Sequence, residues 1–267
     1  MSSYSRNSAR KAPFLAAYTA LVFAFVYLPI VVLVVYSFNR DGVGGFPPRH
    51  FTFVWYHQLF SADSAIWDSV LNSLLVAAGA VVLSLSIGLL AALALDRADF
   101  PGKALFRRLV LLPLILPGII TGLSMLMFAV FAGFERSLTL VFLGHGTALI
   151  SVATTEIFAG LQKMDRRQEE ASLDLGATPW RTFWRVTLPN LRLSLIAAGL
   201  LIFTLSMDEI AVTFFLIGSD NTLPLEIWGR LRRGITPEIN AISSLILAAS
   251  VVLLVVWYHL RTRSERQ

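Results

Sequence analysis

The sequence contains six apolar runs, each long enough to cross a lipid bilayer as a helix. They cover approximately residues 14–38, 70–95, 105–132, 138–161, 191–218 and 239–260. About 20 helical residues cross the roughly 30 Å of hydrocarbon in a bilayer. The runs are continuous and lack the period-two alternation of barrel strands. The sequence therefore predicts an all-α integral membrane protein with six transmembrane helices.

Charge composition agrees with this fold class and suggests an orientation. Only 15% of the residues are charged, whereas a soluble domain usually has about 25%. If the N-terminus is cytoplasmic, 16 of the 22 Lys and Arg residues fall on the cytoplasmic side. Short cytoplasmic loops are enriched in these residues, so we expect cytoplasmic tails at 1–13 and 262–267 and one transmembrane domain over 14–261. The high pI then reflects topology and leaves no separate basic domain for nucleic acid.

The loop 163–190, between the fourth and fifth runs, carries a spaced set of residues. It contains Glu170-Ala171-Ser172, then Gly176-Ala177, and ends with Leu188-Pro189. We expect a short amphipathic helix over 166–181 that ends near Pro179, after which Leu188-Pro189 begins the fifth span. A helix of this kind can bind in a groove on a soluble partner. Considered without its spacing, the segment could also be a generic amphipathic loop.

The joint spacing resembles the EAA loop of the permease subunits of bacterial ABC-type importers. Ser172 occupies the position where that family usually has a second alanine. The resemblance implies a type I (MetI-like) permease bundle in the bacterial inner membrane. It also implies that the loop binds a cytoplasmic ATPase subunit, through Glu170, Ala171, Ser172, Gly176, Ala177, Leu188 and Pro189.

The resemblance also implies a set of partners. They are a second permease subunit that forms a heterodimer with this chain, two cytoplasmic ATPase subunits and a periplasmic substrate-binding protein. ATP and Mg would bind to the ATPase subunits, so we expect no cofactor, metal or catalytic residue in this chain.

Acidic residues within the apolar runs are candidates for a solute pathway. Asp208 and Glu209 lie near the middle of the fifth run, and Glu156 lies in the fourth. Ionised groups are costly in hydrocarbon and usually mark a functional position. The functional interpretation is a constriction that selects a cation. The alternative is a carboxyl group paired with a partner's arginine or with backbone, or kept neutral by burial.

Two further features bear on the pathway and on metal binding. Pro113 and Pro117 predict a break in the third run, which either borders a cavity or is an ordinary packing kink.

The sequence has no cysteine, which excludes disulfides and thiolate chemistry. His145, between Gly144 and Gly146, is expected to pack or lie at an interface, because no cluster of metal ligands accompanies it.

The segment 206–241 resembles one subfamily, the C-type permease of spermidine/putrescine importers. The resemblance rests on Ser206-Met207-Asp208-Glu209, Thr222-Leu223-Pro224-Leu225 and Arg233-Gly234-Ile235-Thr236-Pro237. Glu209 replaces the second aspartate that this subfamily usually has. The implied solute is a polyamine, while aminophosphonates and opine- or ferric-type ligands stay as alternatives. Arg230, Arg232 and Arg233 near the outer mouth suit a polycation poorly.

Two other functional classes would require features of their own. A secondary transporter or channel would need a coupling-ion site but no ATPase-binding loop. A membrane enzyme would need a catalytic constellation, and the sequence contains no Ser/His/Asp set at matched depth.

Overall fold

The computed structural model describes residues 4–41, 48, 50–61, 64–234 and 236–264. The glycine-rich start of the outer loop, Arg49 and residues 1–3 and 265–267 lie outside this description. The α-helices are α1 Tyr4–Tyr36, α2 Val54–Ser61, α3 Ser64–Arg97, α4 Lys103–Leu111, α5 Gly118–Phe131, α6 Leu138–Ala148, α7 Ile150–Lys163, α8 Arg167–Asp174, α9 Pro179–Thr182, α10 Leu188–Met207, α11 Ala211–Leu216, α12 Leu223–Arg233 and α13 Pro237–Ser264.

The chain forms two compact units, one of Met1–Asp63 with Ile227–Gln267 and one of Ser64–Glu226. In the first unit, α13 packs against both α1 and α2. The indole nitrogen of Trp55 on α2 donates a hydrogen bond of 2.8 Å to the backbone oxygen of Asn39. This bond holds α2 beside the end of α1.

Helix α3 is the central element of the second unit. On one side it packs with α7 and α10 around Ile157, Leu191 and Ile202. Small residues such as Ala92 and Ala153 are fully buried in this cluster. Apolar helices gain little from the hydrophobic effect inside a bilayer, so close packing at small residues holds them together.

We predict that Ala153→Leu destabilises the protein, because the larger side chain has no space between α3 and α7. Overpacking of this kind costs about 1–3 kcal/mol. Thermal unfolding of the detergent-solubilised protein measures the effect. Ala159→Leu on the exposed face of the same helix is the matched control, and an equal loss of stability in both variants would contradict the packing argument.

Four helical segments have the length and hydropathy of a membrane span: Pro13–Tyr36, Ala65–Arg97, Leu138–Lys163 and Pro179–Met207. A bent pair of helices provides a fifth if it counts as one span. The sixth predicted run lies in α13, whose described apolar stretch, Pro237–Val252, is shorter than the others. A sixth crossing therefore stays a prediction. Helices α1 and α13 also extend into the predicted tails, from Tyr4 and to Ser264.

The third predicted run is interrupted at residues 115–117. Lys103–Leu114 and Gly118–Phe131 meet there at an angle of 106°. Pro117 has an extended backbone, with φ −58° and ψ 137°, and a proline also disfavours helical geometry in the residue before it. The predicted proline break is present, and it is much sharper than a kink.

The observed helix differs from the fifth run, 191–218, at both ends. The helical span begins at Pro179 and ends at Met207. Residues 208–210 break the helix, and α11 follows as a separate short helix. The amide of Val212 donates to Glu209 Oε1 at 2.9 Å, and the Thr213 hydroxyl donates to the Glu209 carbonyl at 2.8 Å. At the interruption, the Glu209 carboxylate thus pairs with a backbone amide, and the Thr213 hydroxyl pairs with a backbone carbonyl.

Candidate functional site

The loop 163–190 folds into two helices joined at a glycine. The predicted helix over 166–181 is wrong in extent, because α8 covers only Arg167–Asp174. Gly176 follows with φ +84°, a left-handed conformation that costs other residues energy through their Cβ atom. Pro179 then begins α9, where the Thr178 hydroxyl accepts a hydrogen bond from the Arg181 amide. Proline suits a first helical turn, because it lacks only a donor that would be unpaired there anyway.

Leu188-Pro189 begins α10, as the sequence predicts, but the helical span does not start there. The helix continues through both residues from Pro179, by way of a π-helical turn over Phe183–Thr187. In that turn the Leu188 amide bonds to the carbonyl of Phe183. The wider turn lies directly before Pro189, whose ring would otherwise clash with the preceding turn of an α-helix.

Glu169 bonds this loop to the transmembrane helices. Its side chain is only 11% exposed, and its Oε1 accepts a hydrogen bond of 2.6 Å from the guanidinium of Arg97 at the end of α3. The Thr187 hydroxyl in the π turn donates to the same oxygen. We call these three residues the Glu169 cluster. It joins α8 to α3 and to the start of α10.

A second set of polar contacts reinforces the same end of the unit. Asp96, whose side chain is 3% exposed, accepts from Arg166 at 2.9 Å and from Gln162 at 2.6 Å. Asn190 on α10 donates to Gln168 on α8 at 2.8 Å. The loop is thus bonded to α3 through Arg166 and to α10 through Gln168, while Gln162 bonds α7 to α3.

The predicted loop residues occupy different environments. Glu170, Ala171, Gly176 and Pro189 are exposed, whereas Ser172, Ala177 and Leu188 are half-buried. The hydroxyls of Ser172 and Thr182 lie 3.0 Å apart, which links α8 to α9.

Beside Gly176, the loop presents an apolar surface that the sequence motif does not include. Leu175 is 89% exposed, Trp180 70% and Trp184 51%. The rings of Trp180 and Trp184 pack edge to face, with centroids 5.6 Å apart. We call these three residues the aromatic face. The sequence interpretation missed this surface, although two tryptophans within five residues of a polar loop were a signal for it. It also missed Glu169, because only its neighbour Glu170 fits the motif.

We predict that Glu169→Ala destabilises the isolated chain. Arg97 and the Thr187 hydroxyl would lose their shared acceptor, which costs about 1–3 kcal/mol at a buried position. Thermal unfolding in detergent measures the loss. Glu170→Ala, on the exposed side of the same turn, should change stability by no more than about 0.5 kcal/mol; equal effects of the two variants would refute a special role for Glu169.

The breaks in the third and fifth runs lie next to each other. A Cβ atom placed on Gly118, at the start of α5, would lie 3.5 Å from Glu209 Oε1 and 3.4 Å from the Cβ of Ala211. Glu209 is half-buried, and its carboxylate bonds to the start of α11. Asp208 is exposed, and its side chain makes no hydrogen bond or ion pair within the described part of the chain. The structure therefore brings the predicted acidic pair and the predicted proline break to one junction.

The third candidate acid is not at this junction. Glu156 is half-buried on α7, 11 residues beyond His145 in the same span. His145 bonds Ser206, next to the break, so Glu156 lies about 16 Å further along the span at 1.5 Å per residue. Among the described residues, no group of three or more His, Asp or Glu side chains is placed to hold a metal ion.

A known protein family matches residues 84–266 of the chain, a region that includes the 163–190 loop and both breaks. It is described as the binding-protein-dependent transport system inner membrane component. The chain belongs to this family. It is therefore an integral membrane permease of an ABC importer, which confirms the predicted function class.

Two relatives match nearly the full chain. The putrescine transport system permease protein PotI of Escherichia coli (strain K12) is 35% identical over 96% of this chain and 94% of its own length. The spermidine/putrescine transport system permease protein PotC of Haemophilus influenzae is 32% identical over 90% of this chain and 93% of its own length.

Solved structures share the fold at lower identity. A chain of a bacterial ABC transporter involved in the import of the acidic polysaccharide alginate has a TM-score of 0.73 and 17% identity, covering 98% of this chain and 99% of that one. A chain of the MetNI methionine ABC transporter has a TM-score of 0.55 and covers 77% of this chain. These neighbours confirm the predicted fold class, an all-α permease bundle of the MetI-like type.

Proposed function

We propose that this permease forms one half of a translocation pathway for a small polyamine, with putrescine as the first candidate. The observation that carries the proposal is the acidic pair at the junction of two broken helices. The names of the two relatives support the choice of solute, since both relatives match this chain over at least nine-tenths of its length.

The chemistry of the junction suits a cation. Asp208 is exposed and unpaired in the described part of the chain, so its carboxylate is available to a solute or to a facing subunit. An ammonium group about 4 Å away would gain up to about 4 kcal/mol at the effective dielectric of a protein surface. Broken backbone inside a membrane is tolerated where it is buried in protein or lines a watery cavity. Glu209 at the junction is half-buried in protein, and a solute pathway along the junction would provide the watery cavity.

The aromatic face is the proposed binding surface for a cytoplasmic ATPase subunit. Its three large apolar side chains are exposed beside the left-handed turn at Gly176. Aromatic side chains commonly anchor protein interfaces. In this arrangement the ATPase subunit hydrolyses ATP and this chain performs no catalysis.

The Glu169 cluster is the proposed route by which movement of the loop reaches the membrane spans. A displacement of α8 would pull on Arg97 and Thr187, and hence on α3 and α10. We propose that this end of the unit faces the cytoplasm, as do both chain termini. The opposite end, where Asn72 donates to the Asn221 carbonyl at 3.0 Å, then faces the substrate-binding protein. A second, related permease subunit would complete the pathway.

Gly176→Ala tests the ATPase-binding loop, with Gly102→Ala as a closely matched control. Both glycines have a positive φ, +84° and +85°, and in both cases a Cβ atom would have no neighbour within 4 Å. The local strain should therefore be the same, about 1–2 kcal/mol. We expect only Gly176→Ala to reduce ATPase co-purification and solute-stimulated ATP hydrolysis. Equal behaviour of the two variants would count against the loop as the ATPase contact.

Asp208→Asn tests the cationic pathway. Loss of one carboxylate should raise the putrescine concentration for half-maximal uptake about tenfold, equivalent to roughly 1.4 kcal/mol. Uptake into vesicles that contain the complete transport system measures it. Asp68→Asn, which neutralises another exposed carboxylate on α3, should have no effect. Transport of an anionic solute in place of putrescine would discard the polyamine assignment and leave the importer class intact.

A further inference from the structure

We propose that His145 is a positioning residue that holds the fifth span in its broken form and so sets the location of Asp208 and Glu209. This inference rests on the proposed function only where it concerns the solute. Its structural part depends on the contacts of His145 alone. His145 lies in α6, is 2% exposed and uses both ring nitrogens.

The two partners of His145 lie on opposite sides of the break at residues 208–210. Its Nδ1 lies 2.8 Å from the hydroxyl of Ser206, in the last turn of α10. Its Nε2 lies 2.9 Å from the hydroxyl of Thr213, in α11. We call this arrangement the His145 bridge. It joins the two helices that the break separates.

The hydroxyl partners determine which ring nitrogen carries the proton. The single hydroxyl proton of Thr213 is donated to the carbonyl oxygen of Glu209. Thr213 must therefore accept from the ring, and Nε2 is protonated. In the neutral ring, Nδ1 then accepts from Ser206. Hydrogen bonds thus run in one direction from Ser206 through His145 and Thr213 to the backbone of Glu209.

The geometry of this bridge suits a broken span better than an unbroken helix. In a continuous α-helix, Ser206 and Thr213 would be about 10.5 Å apart along the axis, at 1.5 Å per residue. The two nitrogens of an imidazole are only about 2.2 Å apart. With the observed bonds of 2.8 and 2.9 Å, one ring can join oxygens no more than about 8 Å apart. In an unbroken helix both hydroxyls would have to turn towards each other to come within reach of one ring, whereas the broken span brings them to His145 directly.

Close packing around the bridge fixes the position of the ring. Gly144, beside His145, allows α11 to approach α6 closely, because a Cβ there would lie 2.4 Å from the Leu216 side chain and 3.2 Å from that of Val212. Val141 on α6 packs in one buried apolar cluster with Val212 and Leu216 on α11, and the last two lie beside Gly144. Neither hydroxyl could exchange His145 for water without opening this core, so the ring adds its two hydrogen bonds to those that Glu209 makes at the break.

A disulfide cross-link reports the position of the break without any transport assay. The protein has no cysteine, so Gly118→Cys with Ala211→Cys would supply the only thiols in this chain. The two Cβ positions are 3.4 Å apart, close to the range of about 3.5–4.5 Å found in disulfides. Oxidation in membranes that contain the whole transport system should therefore join α5 to α11 when His145 is present.

The variants separate hydrogen bonding from packing. His145→Leu keeps an apolar side chain of similar size but removes both nitrogens, and we expect the cross-linking yield to fall about tenfold. His145→Gln keeps one donor and one acceptor and should retain most of the yield. If His145→Leu does not assemble, Ser206→Ala and Thr213→Val remove one partner each. An unchanged yield in His145→Leu, or in both substitute variants, would overturn the bridge.

Putrescine uptake then tests whether the bridge matters to the solute. We expect His145→Leu to raise the half-saturating putrescine concentration about tenfold with little change in maximal rate, and His145→Gln to restore it. A lower cross-linking yield with unchanged half-saturation would overturn the role in placing the acids. If the unsubstituted system transports no putrescine, the polyamine proposal fails, while the cross-link still decides whether His145 holds the break.

Discussion

The absence of water inside a bilayer is the constraint on which this structure depends. Each backbone amide and carbonyl in the hydrocarbon needs a partner within the protein, so the membrane-spanning segments are helical. Two breaks in the described spans, at residues 115–117 and 208–210, therefore need compensation. At the second one, the Glu209 carboxylate accepts from an amide of α11, and Thr213 donates to a carbonyl. Polar side chains in this span thus stabilise an irregular backbone and also present an acidic surface.

One continuous helix connects the loop 163–190 to the acidic junction, the two regions to which we assign functions. The segment Pro179–Met207 carries the two tryptophans of the aromatic face and Thr187 of the Glu169 cluster in its first turns, and it reaches the 208–210 break at its last residue. Its 29 residues correspond to about 43 Å at 1.5 Å per residue. The π turn lets this helix pass through Pro189 without interruption. A rigid element of this length can carry a displacement of the loop to the acidic junction.

The accuracy of the sequence predictions followed the strength of the hydropathy signal. The run 70–95 contains no charged residue and lies wholly within α3, which extends six residues further at its start and two at its end. The run 191–218 differs from the observed helix for two reasons. Hydropathy does not detect the segment Pro179–Thr187, which is polar and aromatic but helical. It also does not detect a break within an apolar region. The EAA-type spacing drew attention to the loop 163–190. It did not identify Glu169, because burial of one of two adjacent glutamates depends on where Arg97 lies in the fold.

The sequence by itself determined that the chain is a helical membrane protein, and its spaced motif correctly indicated the permease family. Both follow from local properties, since hydrocarbon length sets the size of a span and a motif is read from neighbouring residues. The tertiary structure alone decided that Gly118 and Glu209 are neighbours, and that His145 bonds Ser206 and Thr213 across a break. Such pairs are separated by 61 or more residues in the chain, and only the packing of distant helices, through small residues such as Gly144, brings them into contact.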